Sequence, residues 1–183
     1  MAREKEDGKQ AFADESKARD YLLAATVLRA ADIVHARRTV RSLVLPGQNR
    51  LHMAKESDGR RRSILDAITR LPTRTVIHRA PRDGCSEVER RARCLRALVT
   101  DLAQADCAGL CLERDETLER RDRQQILETL RLHDVHLRHR HASAREEPLL
   151  AIPDALAWAW AWAKGGDWQR RIRPLVECRT VAD

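Results

Sequence analysis

Residues 11–29, AFADESKARDYLLAATVLR, decide how the rest of the chain is read. AFADES and YLLAATVLR are apolar, strand-like runs, and the residues between them, KARD, are short enough for an antiparallel hairpin. A strand entering a core has no structural need of charge, yet this one carries two adjacent carboxylates, Asp14 and Glu15. Side chains alternate along a strand, so Glu15 is expected on the face opposite Asp14, solvated rather than engaged.

Beyond the hairpin the pattern changes period. Ile33, Val34, Val40 and Val44 fall at helical spacing from Ala30 to Leu45, and LPGQN then breaks the chain with Pro46 and Gly47. RLHMA (50–54) is expected to form a short strand. Ser57 or Asp58 caps a helix running to about Leu71, with Ile64, Leu65 and Ile68 on one face and Pro72 after it. RTVIHRA (74–80) is a strand and PRDG a turn. Ser86, with Glu89 three residues on, has capping-box spacing and opens a long helix to about Ala105. CAGLCLE (107–113) is a continuous apolar run, as in a buried parallel strand. RRDRQQILETLRL is a helix, and VHLRHRHA is a strand by alternation. Pro153 opens the helix DALAWAWAWA, which Gly165 and Gly166 end. A short helix from Trp168 to Leu175 and the run VECRTV complete the chain. A hairpin followed by alternating strands and helices implies the α/β class: a mixed β-sheet flanked by helices. Met1–Gln10 is expected to be a disordered tail, and residues 11–183 a single domain.

The chain of 183 residues has a net charge of +7, and only five of its 35 basic residues are lysines, the other 30 being arginines. Arginine offers a planar fork suited to phosphate, which favours an anionic partner such as nucleic acid. A GC-rich coding sequence writes the same arginines, so the charge permits that partner without demonstrating it. The five cysteines, Cys85, Cys94, Cys107, Cys111 and Cys178, form no CxxC and are expected to be reduced. The N-terminal residues are charged, without the apolar core of a secretory segment, and no run approaches a membrane span. The expectation is a cytoplasmic protein with no membrane partner.

Three apolar elements each carry an acid that structure alone does not require: Asp14 in the first strand, Glu113 at the end of GLCLE, and Asp154 in the first turn of the Trp-bearing helix. If the first strand is central and the later parallel strand lies beside it, all three can meet at one point. Carboxylates brought together repel and lose hydration unless a cation neutralises them. Mg²⁺ or Mn²⁺ is the natural candidate, because hard cations take carboxylate oxygens. Each acid alone has a plainer reading as a surface charge or, for Asp154, a helix cap.

The combination of D-E-S in the first strand, LHMAKE, an apolar strand ending in an acid, and P-D-A-L-A-W-A in a late helix resembles an uncharacterised RNase H-like group, domain-of-unknown-function family 3800. The resemblance runs from about Ala11 to Val181 and rests on Asp14-Glu15-Ser16, His52, Glu56, Glu113 and Asp154. It departs at Lys17, where the family commonly has glycine, and at Glu113, often Asp. It implies a ribonuclease H-like fold and a metal-dependent nuclease site. By position, Asp14, Glu113 and Asp154 would be metal ligands, Glu56 an additional ligand, and His52 a proton shuttle. A non-catalytic module of the same fold binding nucleic acid or protein, and a small-molecule phosphohydrolase, are the alternatives.

Among the basic residues, Lys17 and Arg120, Arg121 and Arg123 are candidates for holding a phosphate backbone, although charge runs are more often solvated faces. His133, His136, His139 and His141 do not share one strand face, so a zinc site is not expected. Trp158 and Trp162 lie four apart and are expected to pack together in the core, with base stacking by Trp160 or Trp168, or a homodimer contact, as alternatives.

Overall fold

A computed structural model describes residues 8–162 and 167–181. Six strands form one sheet in the order β5-β4-β1-β2-β3-β6. β1 (Lys9–Ser16) and β2 (Tyr21–Arg29) are the expected hairpin, antiparallel, with Asp14 opposite Ala24. β3 (Arg74–Ala80) continues antiparallel from β2. β4 (Cys107–Glu113) lies parallel to β1, and β5 (Arg138–Ala142) parallel to β4. The last strand, β6 (Val176–Thr180), adds parallel to β3. The sheet is therefore mixed, and β1 is an interior strand. Of the tail expected over residues 1–10, Lys9 and Gln10 already belong to β1, and residues 1–7 lie outside the described residues, as do Gly165 and Gly166.

Helices cover both faces. On one lie α1 (Ala30–Leu43), α2 (Asp58–Ile68) and α5 (Ala151–Ala161), packing Ala36, Val40, Ile64, Leu65, Ile68 and Leu156 over Phe12, Ala24 and Ile77. α6 (Asp167–Ile172) adds Ile172 to the same core. On the other face, α3 (Glu87–Gln104) and α4 (Glu119–His133) bury Leu95, Leu98, Val99 and Ile126 against Ala11, Ala13, Leu23 and Leu110. α3 begins with the expected capping box of Ser86 and Glu89. α5 is buried on nearly every side, as its run of Ala, Ile, Leu and Trp requires, and it crosses β1 and β2. Pro153 is tolerated because it sits in the first turn, where its missing N–H has no partner to lose.

Three expectations change. Residues 50–54 do not form a strand; Met53–Lys55 make a single 3-10 turn. Leu51 and Met53 anchor it in the core, while the Arg61 guanidinium takes the carbonyls of Met53 and Ala54 in place of a neighbouring strand. Trp158 is buried, edge-on to Trp168 and beneath Arg61, but Trp162 is 50% exposed because α5 ends at Ala161. Cys107 and Cys111, expected to be reduced, are free and fall in different cores, separated by the register shift opposite Lys9 and Gln10.

Glu15 corrects the third expectation: it does face away from Asp14, but it is engaged rather than solvated. Tyr21, Arg91 and Lys17 all hold its carboxylate. Arg91, itself buried, also grips both oxygens of Asp122 at 2.8 and 2.7 Å, and His141 of β5 approaches Asp122 at 3.4 Å. Burial pushes the Asp122 carboxyl up, and the hydrogen bonds from Arg91 and His141 overcome that and hold it below the usual carboxylate range. One buried network thus ties β1, β2, α3, α4 and β5. Arg91→Met, which leaves Asp122 buried without its cation, should cost about 3–5 kcal/mol in urea unfolding. Adding Asp122→Leu should recover part of that loss. A single variant within about 1 kcal/mol of wild type would show that the network is not a structural clamp.

Candidate active site

The three acids come from three elements that meet at the carboxyl ends of β1 and β4. Asp14 is next to last but one in β1, on the α5 side and 5% exposed. Glu113 ends the parallel neighbour β4 on the same side, and Asp154 stands in the first turn of α5 where it crosses the sheet. Pleat parity and helix position bring them together: Phe12 and Cys111, two residues before Asp14 and Glu113, both belong to the α5 core.

The electrostatics express that convergence. Burial raises the Asp14 carboxyl well above the usual range, and a side-chain hydrogen bond with Glu113 and the charges of Glu113 and Asp154 raise it further, while Arg50 pulls it down. Asp14 also accepts from the backbone N–H of Glu15 at 2.7 Å, which fixes its orientation.

The segment between α1 and α2 closes the site. Arg50 donates to Glu113 Oε1 at 2.9 Å. Asp154 Oδ2 accepts from the Met53 N–H at 3.3 Å and faces His52 Nδ1 at 3.7 Å. That His52 nitrogen is buried and has no hydrogen-bond partner among the described residues. Glu56 is buried as well, but its oxygens accept from Gln48 at 3.0 Å and Arg60 at 3.3 Å. It is thereby an anchor of the segment that delivers Arg50 and His52.

The basic candidates lie elsewhere. Lys17 bridges Glu15 and Glu87 at 2.8 and 2.7 Å on the opposite face. Arg120, Arg121 and Arg123 are exposed on α4, in the layer across the sheet from the acids, and Arg123 pairs with Glu119. The imidazoles disperse, His133 to Thr100 and His141 to Asp122. Sequence reasoning missed Arg50, which belongs to the same RLHMAKE segment as His52 and Glu56 but carries no signal of pairing with a residue 63 positions away.

Among the described residues, no three His, Cys, Asp or Glu side chains are arranged around one point as a ready ion cage. The donor chemistry nevertheless fits a hard divalent cation: Asp14, Glu113 and Asp154 offer only carboxylate oxygens, and their mutual repulsion is the kind that such an ion relieves. Arg50 now supplies part of that positive charge, so Glu113 would have to exchange the guanidinium for the ion.

No family model matches the chain, and no curated protein matches it. Among solved structures, it is similar to the PCNA:RNase HII complex from Archaeoglobus fulgidus, with a TM-score of 0.55 and 16% identity over 91% of this chain and 75% of that one. The likeness shows the fold: a ribonuclease H-like α/β sheet.

Because folded Asp14 holds its proton more tightly than the unfolded chain does, stability should fall as pH rises from the ordinary carboxylate range through the folded Asp14 range, and stay lowered above it. Asp14→Asn should therefore melt a few degrees above wild type at pH 7 in EDTA, on a scale of about 2–4 °C per kcal/mol. The gap should narrow toward pH 4. A variant that melts below wild type at both pH values would contradict this electrostatic account.

Proposed function

We propose that the chain is a divalent-metal-dependent nuclease that hydrolyses phosphodiester bonds of DNA or RNA. The observation that carries this reading is the convergence of Asp14, Glu113 and Asp154 at the carboxyl ends of two central parallel strands. The fold likeness to a complex containing RNase HII supports it as analogy.

Asp14, Glu113 and Asp154 would hold Mg²⁺ or Mn²⁺, with Glu56 as an outer acid behind the segment 48–56. Bound there, the ion supplies a water of lowered pKa and charge for the leaving oxygen. The chain's own residues do the positioning. The Glu15 N–H aims the Asp14 carboxylate, and the Met53 N–H aims that of Asp154. His52, with its Nδ1 unsatisfied beside Asp154, is placed to carry a proton to or from the reacting oxygens. Arg120, Arg121 and Arg123 lie on α4, across the sheet from the acids, and Lys17 is held between Glu15 and Glu87, so this reading gives them no contact with the strand being cut.

One observation favours the non-catalytic reading: Arg50 already pairs with Glu113, in the place a metal ion would take. Cleavage assays separate the two. Labelled single- and double-stranded DNA, RNA and RNA–DNA hybrid should be cut in Mg²⁺ or Mn²⁺ on at least one substrate. Asp14→Asn should lower that rate roughly 100-fold or more, as expected when several kcal/mol of transition-state stabilisation is removed. Absence of cleavage on all of them, with nucleic-acid binding retained, would favour the binding module.

A further inference from the structure

A groove of about 530 Å³ opens beside the acidic cluster. Its walls are the end of α1 (Val40, Arg41, Val44), the loop 45–51, and the turn around Ala144, Arg145 and Pro148, with Ala151 of α5. Arg50 belongs both to this wall and to the cluster, because its guanidinium reaches Glu113. Arg50 therefore links the groove wall to the acids.

Its lining is unusual for this chain. Arg41, Arg50 and Arg145 are all exposed and line it, with the amide of Asn49, and among the described residues no carboxylate lines it. The other large grooves each carry acids among their arginines, Asp58 and Asp167 in one and Asp101 in another. Arg50 is paired with Glu113, whereas Arg41 and Arg145 have no acid partner among the described residues and leave a positive potential in the cleft. Between them lie apolar patches of Val40, Val44, Leu51 and Pro148.

The loop is fixed before anything binds. Gln48 accepts from the Leu45 N–H at 3.1 Å and donates to buried Glu56 at 3.0 Å. Gly47 turns the chain at φ 84°, a conformation other residues resist, and the Gln48 N–H closes the turn on the Leu45 carbonyl at 3.0 Å. Asn49 and Arg50 are thus presented from a preset turn.

We propose that this groove holds the sugar–phosphate backbone of a single nucleic-acid strand beside the bond to be cut, with Arg41 and Arg145 on phosphates and Arg50 moving from Glu113 to the phosphate nearest the acids. Its direction rests on the hydrolase reading of the cluster, whereas its existence does not. At about 530 Å³ the groove falls within the ~300–1,000 Å³ of ligand-sized clefts, room for a short stretch of one strand. A positively charged groove that tracks the phosphates is one element by which single strands are held without reading sequence, and Arg41 and Arg145 supply it here.

The test is fluorescence anisotropy of a labelled eight-nucleotide single strand, DNA and RNA in turn, in EDTA at 50–200 mM KCl. The proteins are wild type, Arg41→Ala/Arg145→Ala, and Arg120→Ala/Arg121→Ala, the last removing the same charge from α4; thermal melts confirm that each is folded. The groove variant should bind roughly tenfold more weakly. Its slope of log affinity against log salt should fall by about 1.4, the value for two lost phosphate contacts on a single strand. The α4 variant should stay near wild type. Equal losses in both variants, no measurable binding by wild type, or competition by a mononucleotide as effective as by the eight-mer would overturn the proposal. Groove-dependent binding without cleavage would remove the nuclease reading and leave the groove. Cleavage by a groove variant that binds normally would do the reverse.

Discussion

A buried carboxylate, Asp14, set near two other acids, Glu113 and Asp154, is the constraint on which the rest of this molecule depends. Burial first, and then the hydrogen bond with Glu113 and the charges of Glu113 and Asp154, raise the Asp14 carboxyl well above its usual range. Such an arrangement is unfavourable for folding, so other parts of the chain have to sustain it. Arg50 offsets part of the charge, and two backbone N–H groups hold Asp14 and Asp154 in place. Sites that store an unfavourable charge cluster are where stability is given up for function.

The scaffold explains how so local a cost is carried. β1 is interior, with β2 and β4 on its two sides, so the strand bearing Asp14 is held by two ladders. α5 is buried almost all round and cannot shift without disturbing the sheet, which fixes Asp154 in turn. Across the sheet, Glu15 enters a network in which every acid has a cation: Arg91 serves both Glu15 and Asp122. The adjacent pair Asp14-Glu15 therefore meets opposite fates. Glu15 is neutralised within the protein, whereas Asp14 is set among other acids with only partial relief.

Much of this was legible in the sequence because it depends on local pattern. The hairpin follows from two apolar runs around KARD, the start of α3 from Ser86 and Glu89, and the buried parallel strand from CAGLCLE. The acids stood out because each interrupts an apolar element. What could not be read depends on partners distant in sequence. RLHMA has strand-like alternation, but Arg61 satisfies its carbonyls and so a 3-10 turn results. Glu15 looked solvated because Arg91, 70 positions beyond Tyr21 in the same network, gives no local sign of its role. Trp162 shares a helical face with Trp158 on paper, yet the helix stops before reaching it. Arg50 and the groove it borders emerge only when the α1–α2 loop is folded against α5.

The central claim is that the acids form a cation site, and calorimetric titration of Mn²⁺ into the wild type and Asp14→Asn tests it most directly. The account predicts near-stoichiometric binding by the wild type, with release of protons from the raised carboxyl, and its loss in the variant. If neither protein takes up Mn²⁺ at millimolar concentration, Arg50 is the permanent partner of the cluster and the catalytic reading is wrong.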